Sequence, residues 1–205
     1  MNARGLWKRN RDLAEACLAH PFVQGIASGE LARERFQVYV AQDAYFLEAF
    51  ARAYALALAK SPDREGLRVF RDLLGGVFEE LELHQGYAER WGISLEPEPL
   101  PAASSYCDFL LRTASLEPIG HTAAAMTPCM RLYSFLGQQL APKLNSLSPY
   151  RDWVETYSSS EIEALSSRLE GLLDRYGGDP ERLSWLYRRA MRLELAFFEA
   201  AWEDG

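Results

Sequence analysis

Residues 36–54, FQVYVAQDAYFLEAFARAY, decide the fold. Phe36, Tyr39, Val40, Asp43, Phe46, Leu47, Phe50 and Tyr54 recur three and four positions apart, which places them on one face of an α-helix. So broad an apolar face must be covered by other helices, and the chain supplies them on both sides. The same spacing predicts helices over 6–19, 31–60, 63–91, 102–115, 119–141, 150–157, 161–176 and 180–202. Pro21 to Gly29 reads as a turn broken at Ser28-Gly29, Gly92 stops the helix before it, and Gly75-Gly76 suggests a kink. Asp179 followed by Pro180 is a helix start. Alternating β-branched runs are absent, so the fold class is all-α, a helical bundle. The connector EPEPLP at 96–101 is stiff, yet either half alone would expose an apolar helix face; residues 1–205 are therefore expected to form one domain.

Composition narrows the function classes. With 22 basic and 29 acidic side chains the net charge is −7, which argues against nucleic acid as a partner, because phosphate neutralisation needs a basic surface. Cys17, Cys107 and Cys129 are odd in number and no secretory leader is evident, so reduced thiols in the cytoplasm are expected. No window approaches the roughly 18 uninterrupted apolar residues of a membrane span, and no membrane partner is expected.

Three helices carry one reactive group each in the middle of an apolar stripe. Asp43 interrupts the stripe quoted above, and Glu194 interrupts Leu183, Tyr187, Ala190, Phe197, Phe198, Ala201 and Trp202. Cys129 sits among Met126, Tyr133, Leu136 and Leu140, just after Pro128, which removes one helical hydrogen bond. Isolated carboxylates are disfavoured there, so each acid needs a partner, a ligand or a raised pKa. An Asp tied to a neighbouring helix, a Glu paired with an Arg and an inert filling Cys are the structural readings. The functional reading is a small polar pocket with aromatic walls, suited to a flat heterocycle, in which Tyr133 offers the thiol a hydroxyl from one turn away. A metal centre is not expected: His20, His84 and His121 have no acid three residues before them, and Glu80–His84, four apart, reads as a helix-surface pair or a supporting contact. The dinucleotide, P-loop and serine-hydrolase fingerprints are missing.

Five segments, HPFVQGIASGELARERFQVYVAQDAYFLEAFARAYA from His20, SYCDFLLRTA from Ser105, TPCMRLY from Thr127, WVETY from Trp153 and RLELAFFEAAW from Arg192, together resemble the TenA, or thiaminase II, family over essentially the whole chain. The resemblance implies a haem-oxygenase-like bundle and an aminopyrimidine aminohydrolase that converts aminomethylpyrimidine, and secondarily thiamine, to hydroxymethylpyrimidine in thiamine salvage. It assigns Cys129 as nucleophile and Glu194 as proton donor, with Asp43, Tyr106, Tyr133 and Tyr157 around the pyrimidine. No cofactor is implied, and the expected assembly is a homotetramer, with a dimer as the exception. The cysteine places the chain apart from a second branch that uses a glutamate pair. One departure stands out: many members have Tyr where this chain has Phe46, which keeps the stacking wall and loses a hydroxyl, while Tyr45 points about 100° away. Competing readings are a haem-oxygenase-like oxidase of another small heterocycle and a non-catalytic pyrimidine-binding or regulatory protein.

Overall fold

The computed structural model describes residues 1–205 and contains ten α-helices, one short 3-10 turn and no strands. The helices are α1 (Ala3–Arg9), α2 (Arg11–Ala19), α3 (Pro21–Ser28), α4 (Arg33–Lys60), α5 (Arg64–Trp91), α6 (Pro101–Leu116), α7 (Ile119–Leu140), α8 (Arg151–Tyr157), α9 (Ser160–Tyr176) and α10 (Pro180–Glu203). Side-chain caps explain many of the starts. Asp63 accepts from Gly66 N at 3.0 Å, Ser159 from Ile162 N at 3.3 Å and Asp179 from Arg182 N at 2.7 Å. Gly92, at φ 69°, closes α5 in the left-handed conformation that favours glycine.

Two expectations at the N-terminus are corrected. The first helix is two, because Asn10 leaves helical geometry (φ −112°, ψ 17°) and its Nδ2 donates to the Leu6 carbonyl at 2.8 Å. The turn at Pro21 to Gly29 is instead a helix, α3. Pro21 occupies its first turn, and His20 Nδ1 accepts from Phe22 N at 3.2 Å. Within α3, Gly25 serves packing, since a Cβ there would come within 2.9 Å of Leu31 Cβ. Helix α5 continues through Gly75-Gly76, where Gly76 lets Leu165 of α9 approach.

Helix α4 packs between α5 and α6, and α7 packs against α9 and α10, with α8 laid across α7. The buried residues form one contiguous cluster that draws on helices from both sides of the 96–101 connector. That connector is pinned to α4 by Gln42, whose Nε2 donates to Glu98 O at 3.0 Å and whose Oε1 accepts from Leu100 N at 2.9 Å. Lys60, at the end of α4, donates to three carbonyls, those of Ala114, Ser115 and Glu117, and so closes the C-terminal end of α6. Arg131 of α7 bridges to Glu163 and Glu170, both at 2.7 Å, fixing α7 on α9. Gly137 lets α7 meet α8: a Cβ at that position would overlap the backbone of Tyr157. No helix is long and apolar enough to cross a membrane.

Candidate active site

The stripes of α4, α7 and α10 face one another, and an interior pocket lined from α4, α5, α7, α8 and α9 holds a free volume of about 20 Å³, room for a single water. Asp43, Phe46, Cys129, Tyr133 and Tyr157 all line it, joined by Phe50 of α4 and Glu80 of α5. Glu194 and Tyr106 stand next to the thiol and the Phe46 ring: the Glu194 carboxyl is close enough to Cys129 for each to shift the other's pKa, and the Tyr106 ring lies 4.7 Å from that of Phe46. Thus all seven residues singled out in the sequence gather in one neighbourhood, five as lining and two as backing. A wider surface depression between α1 and α10, with Arg9, Trp185 and Arg188 on its rim, holds neither the thiol nor the paired acids.

Asp43 is 3% exposed, and its Oδ2 accepts from His84 Nε2 at 2.7 Å. The other ring nitrogen, Nδ1, donates to the Glu80 carbonyl at 2.9 Å. Both nitrogens thus face acceptors, so both carry protons and His84 is an imidazolium facing a carboxylate. Burial opposes that charge, but the bond to Asp43 and its negative field prevail, and the His84 pKa is raised. Asp43 therefore ties α4 to α5, as the structural reading expected, while its second oxygen stays open to the pocket. With both ring nitrogens engaged, His84 has no lone pair left for a metal, and no cluster of three or more His, Cys, Asp or Glu side chains has metal-binding geometry.

Glu194 has no Arg partner. It accepts from Tyr106 Oη at 2.6 Å. Burial pushes its pKa up to about 8, the hydrogen bond from Tyr106 pulls down, and the Asp43 charge adds to the rise. The Cys129 thiol is likewise held well above its usual range, first by burial and then by the negative fields of Glu194, Glu80 and Asp43. No cation stands beside it to favour thiolate. Tyr133 makes no hydrogen bond to the thiol; its hydroxyl accepts from Tyr39 Oη at 3.2 Å, which in turn accepts from Trp153 Nε1 at 3.2 Å, and its own O–H is left for a ligand. The group next to the thiol is the Glu194 carboxyl, so proton exchange between the two is the chemistry the geometry favours.

Of the two readings of Glu80–His84, the surface pair is corrected, since both side chains turn inward, and the supporting contact is what His84 makes with Asp43. His84 is 1% exposed, and the Glu80 carboxyl accepts from the Tyr157 hydroxyl inside the pocket. Lost solvation and the nearby Asp43 charge push the Glu80 pKa up to about 7, against the lowering pull of His84 and Tyr157. The signal was available. Val69, Leu73, Val77, His84 and Tyr87 form the buried stripe of α5, and Glu80 falls on it as Asp43 falls on that of α4.

The chain is similar to known proteins over nearly its whole length. The TENA/THI-4/PQQC family profile matches residues 7–204. An aminopyrimidine aminohydrolase of Halalkalibacterium halodurans is 30% identical over 98% of this chain and 96% of its own length. A bifunctional mitochondrial protein of Arabidopsis thaliana is 34% identical over 95% of this chain, which spans only 36% of that protein. A solved TenA homologue from Pyrococcus furiosus superposes with a TM-score of 0.92 at 28% identity, covering 98% of this chain and 100% of the other. The profile match over nearly the whole chain and the shared helical fold together make this chain a member of the TENA/THI-4/PQQC family.

Proposed function

We propose that the protein is an aminopyrimidine aminohydrolase that replaces the exocyclic amine of an aminomethylpyrimidine by hydroxide, and acts on thiamine in the same way. The observation that carries this reading is the placement of Cys129 and Asp43 in one aromatic pocket, with the buried Glu194 carboxyl next to the thiol. The aminohydrolases among its relatives support the substrate class.

In this reading Phe46 and Tyr133 clasp the faces of the ring. The open oxygen of Asp43 accepts from the ring's amino group, and His84 holds that carboxyl in its orientation. Glu194, protonated in the free site, gives its proton to a ring nitrogen as charge builds there and takes the Cys129 proton in exchange, while the thiolate adds to a ring carbon. The dearomatised ring then expels the substituent on its exocyclic carbon. Tyr106 holds Glu194 in line for both transfers. The high Cys129 pKa keeps the thiol protonated until substrate arrives, which protects it from oxidation.

The test is ammonia release and mass detection of hydroxymethylpyrimidine from aminomethylpyrimidine. Wild type is expected to turn over, and Cys129→Ala and Glu194→Gln to bind without turnover. Binding with no ammonia from the wild type would favour a purely pyrimidine-binding protein, and bound iron or an oxygen requirement would favour an oxidase. We further propose a single-domain cytoplasmic enzyme assembled as a homotetramer or dimer, which light scattering of the purified chain tests.

A further inference from the structure

From the position of Glu80 we infer that this side chain receives the substrate's exocyclic ammonium and then takes the proton of the water that replaces it. The inference rests on the hydrolase reading and names the group that acts at the exocyclic carbon, a role that Cys129, Glu194 and Asp43 leave unfilled.

Three observations carry it. Glu80 and Ile162 line both the inner pocket and a surface groove between α5 and α9, so Glu80 stands where pocket and groove meet. An amine leaving the pocket, and a water entering it, pass this carboxyl. Second, neither the pocket nor the groove is lined by any Lys or Arg, while Glu79, Glu80 and Glu161 line the groove. The field along that path favours a cation over a neutral or anionic group. Third, the Tyr54 hydroxyl is fully buried without a hydrogen-bond partner, near enough to feel the charges of Cys129 and Glu80. An orphaned donor in that position marks a place for a polar ligand atom or a water.

The step balances as follows. The substrate enters as R–CH2–NH3+, whose ammonium pairs with the Glu80 carboxylate. After the thiol sulfur has bonded to the ring, the C–N bond breaks with its electron pair going to nitrogen. Ammonia departs, and the exocyclic carbon becomes a methylene doubly bonded to the ring. Water adds its oxygen to that carbon, and Glu80 takes the proton released. The proton passes to ammonia, giving R–CH2–NH3+ + H2O → R–CH2–OH + NH4+, and the ring proton returns to Glu194 as the thiolate is expelled. For a substituent already cationic on nitrogen, such as a thiazolium, Glu80 serves only as the base for water.

The experiment compares Glu80→Gln and Glu80→Asp. Binding is measured by calorimetry in a Cys129→Ser background, which holds substrate unreacted, with aminomethylpyrimidine and the uncharged hydroxymethylpyrimidine as probes. Glu80→Gln is expected to weaken the amine about tenfold or more and the alcohol less than about twofold. In the presence of Cys129 it should lower kcat for ammonia release by roughly 100-fold. Glu80→Asp should keep the preference for the charged ligand. Equal weakening of both ligands would reduce Glu80 to a support for Tyr157 and overturn the inference, as would an unchanged kcat. If the wild type released no ammonia the hydrolase reading would fall, and the binding contrast would still decide whether Glu80 reads the ammonium.

Discussion

Replacing Glu194 by glutamine should make the protein more stable, and increasingly so as the pH rises. Glutamine keeps the size of the side chain and its acceptor for Tyr106 while removing the titration. In the wild type the native site holds the Glu194 proton until about pH 8, whereas an unfolded Glu gives it up near its ordinary 4.5. Between those values the native state binds more protons than the unfolded state, so stability falls as pH rises. The contribution is fully present below about 4.5 and lost as pH passes through about 8. At about 1.4 kcal/mol for each factor of ten in proton affinity, the fall is on the order of 5 kcal/mol. The assay is urea unfolding of wild type and Glu194→Gln at pH 5, 7 and 9. Near pH 5 the two should differ by about 1 kcal/mol or less, the usual scale for one altered hydrogen bond. At pH 9 the variant should be the more stable by several kcal/mol. A difference that stays constant across the three pH values would refute the claim that the site forces a proton onto Glu194.

Other outcomes follow from the same geometry. Asp43→Ala leaves a charged His84 buried without its partner and should cost about 3–5 kcal/mol in urea unfolding; Asp43→Asn, which can bond a neutral ring, should cost less than half of that. Gly137→Ala forces α7 and α8 apart at Tyr157 and should lower stability by about 1–3 kcal/mol, with a raised KM for the pyrimidine because Tyr157 moves. Phe46→Tyr places a hydroxyl on the pocket wall beside Tyr106 and should raise kcat by a few-fold without changing KM.

The polar residues that matter were legible where they broke a strong apolar rhythm. Asp43 and Glu194 stand out because their neighbours at three and four positions are aromatic or aliphatic, and a carboxylate there must be answered by chemistry elsewhere. What periodicity cannot give is the answering group. His84 lies 41 positions from Asp43, and Tyr106 lies 88 from Glu194, distances that only the packing of α4 on α5 and α6 on α10 closes. That Glu80 itself lines the pocket was less legible, for a different reason. Its helix is rich in exposed acids, Glu79 and Glu82 among them, so a carboxylate on the inner stripe looks like one more solvated charge. The break at Asn10 and the helix at Pro21–Ser28 depend on single side-chain hydrogen bonds, from Asn10 to Leu6 and from Phe22 to His20, which propensity over a window averages away.

The most direct measurement is a crystal structure of the Cys129→Ser protein soaked with hydroxymethylpyrimidine. The account predicts the ring in the interior pocket, its amino group on the free oxygen of Asp43, its exocyclic carbon toward Glu80 and the side chain at 129 over a ring carbon. A ring bound in the surface depression between α1 and α10, or one in the pocket facing away from both position 129 and Glu194, would contradict it.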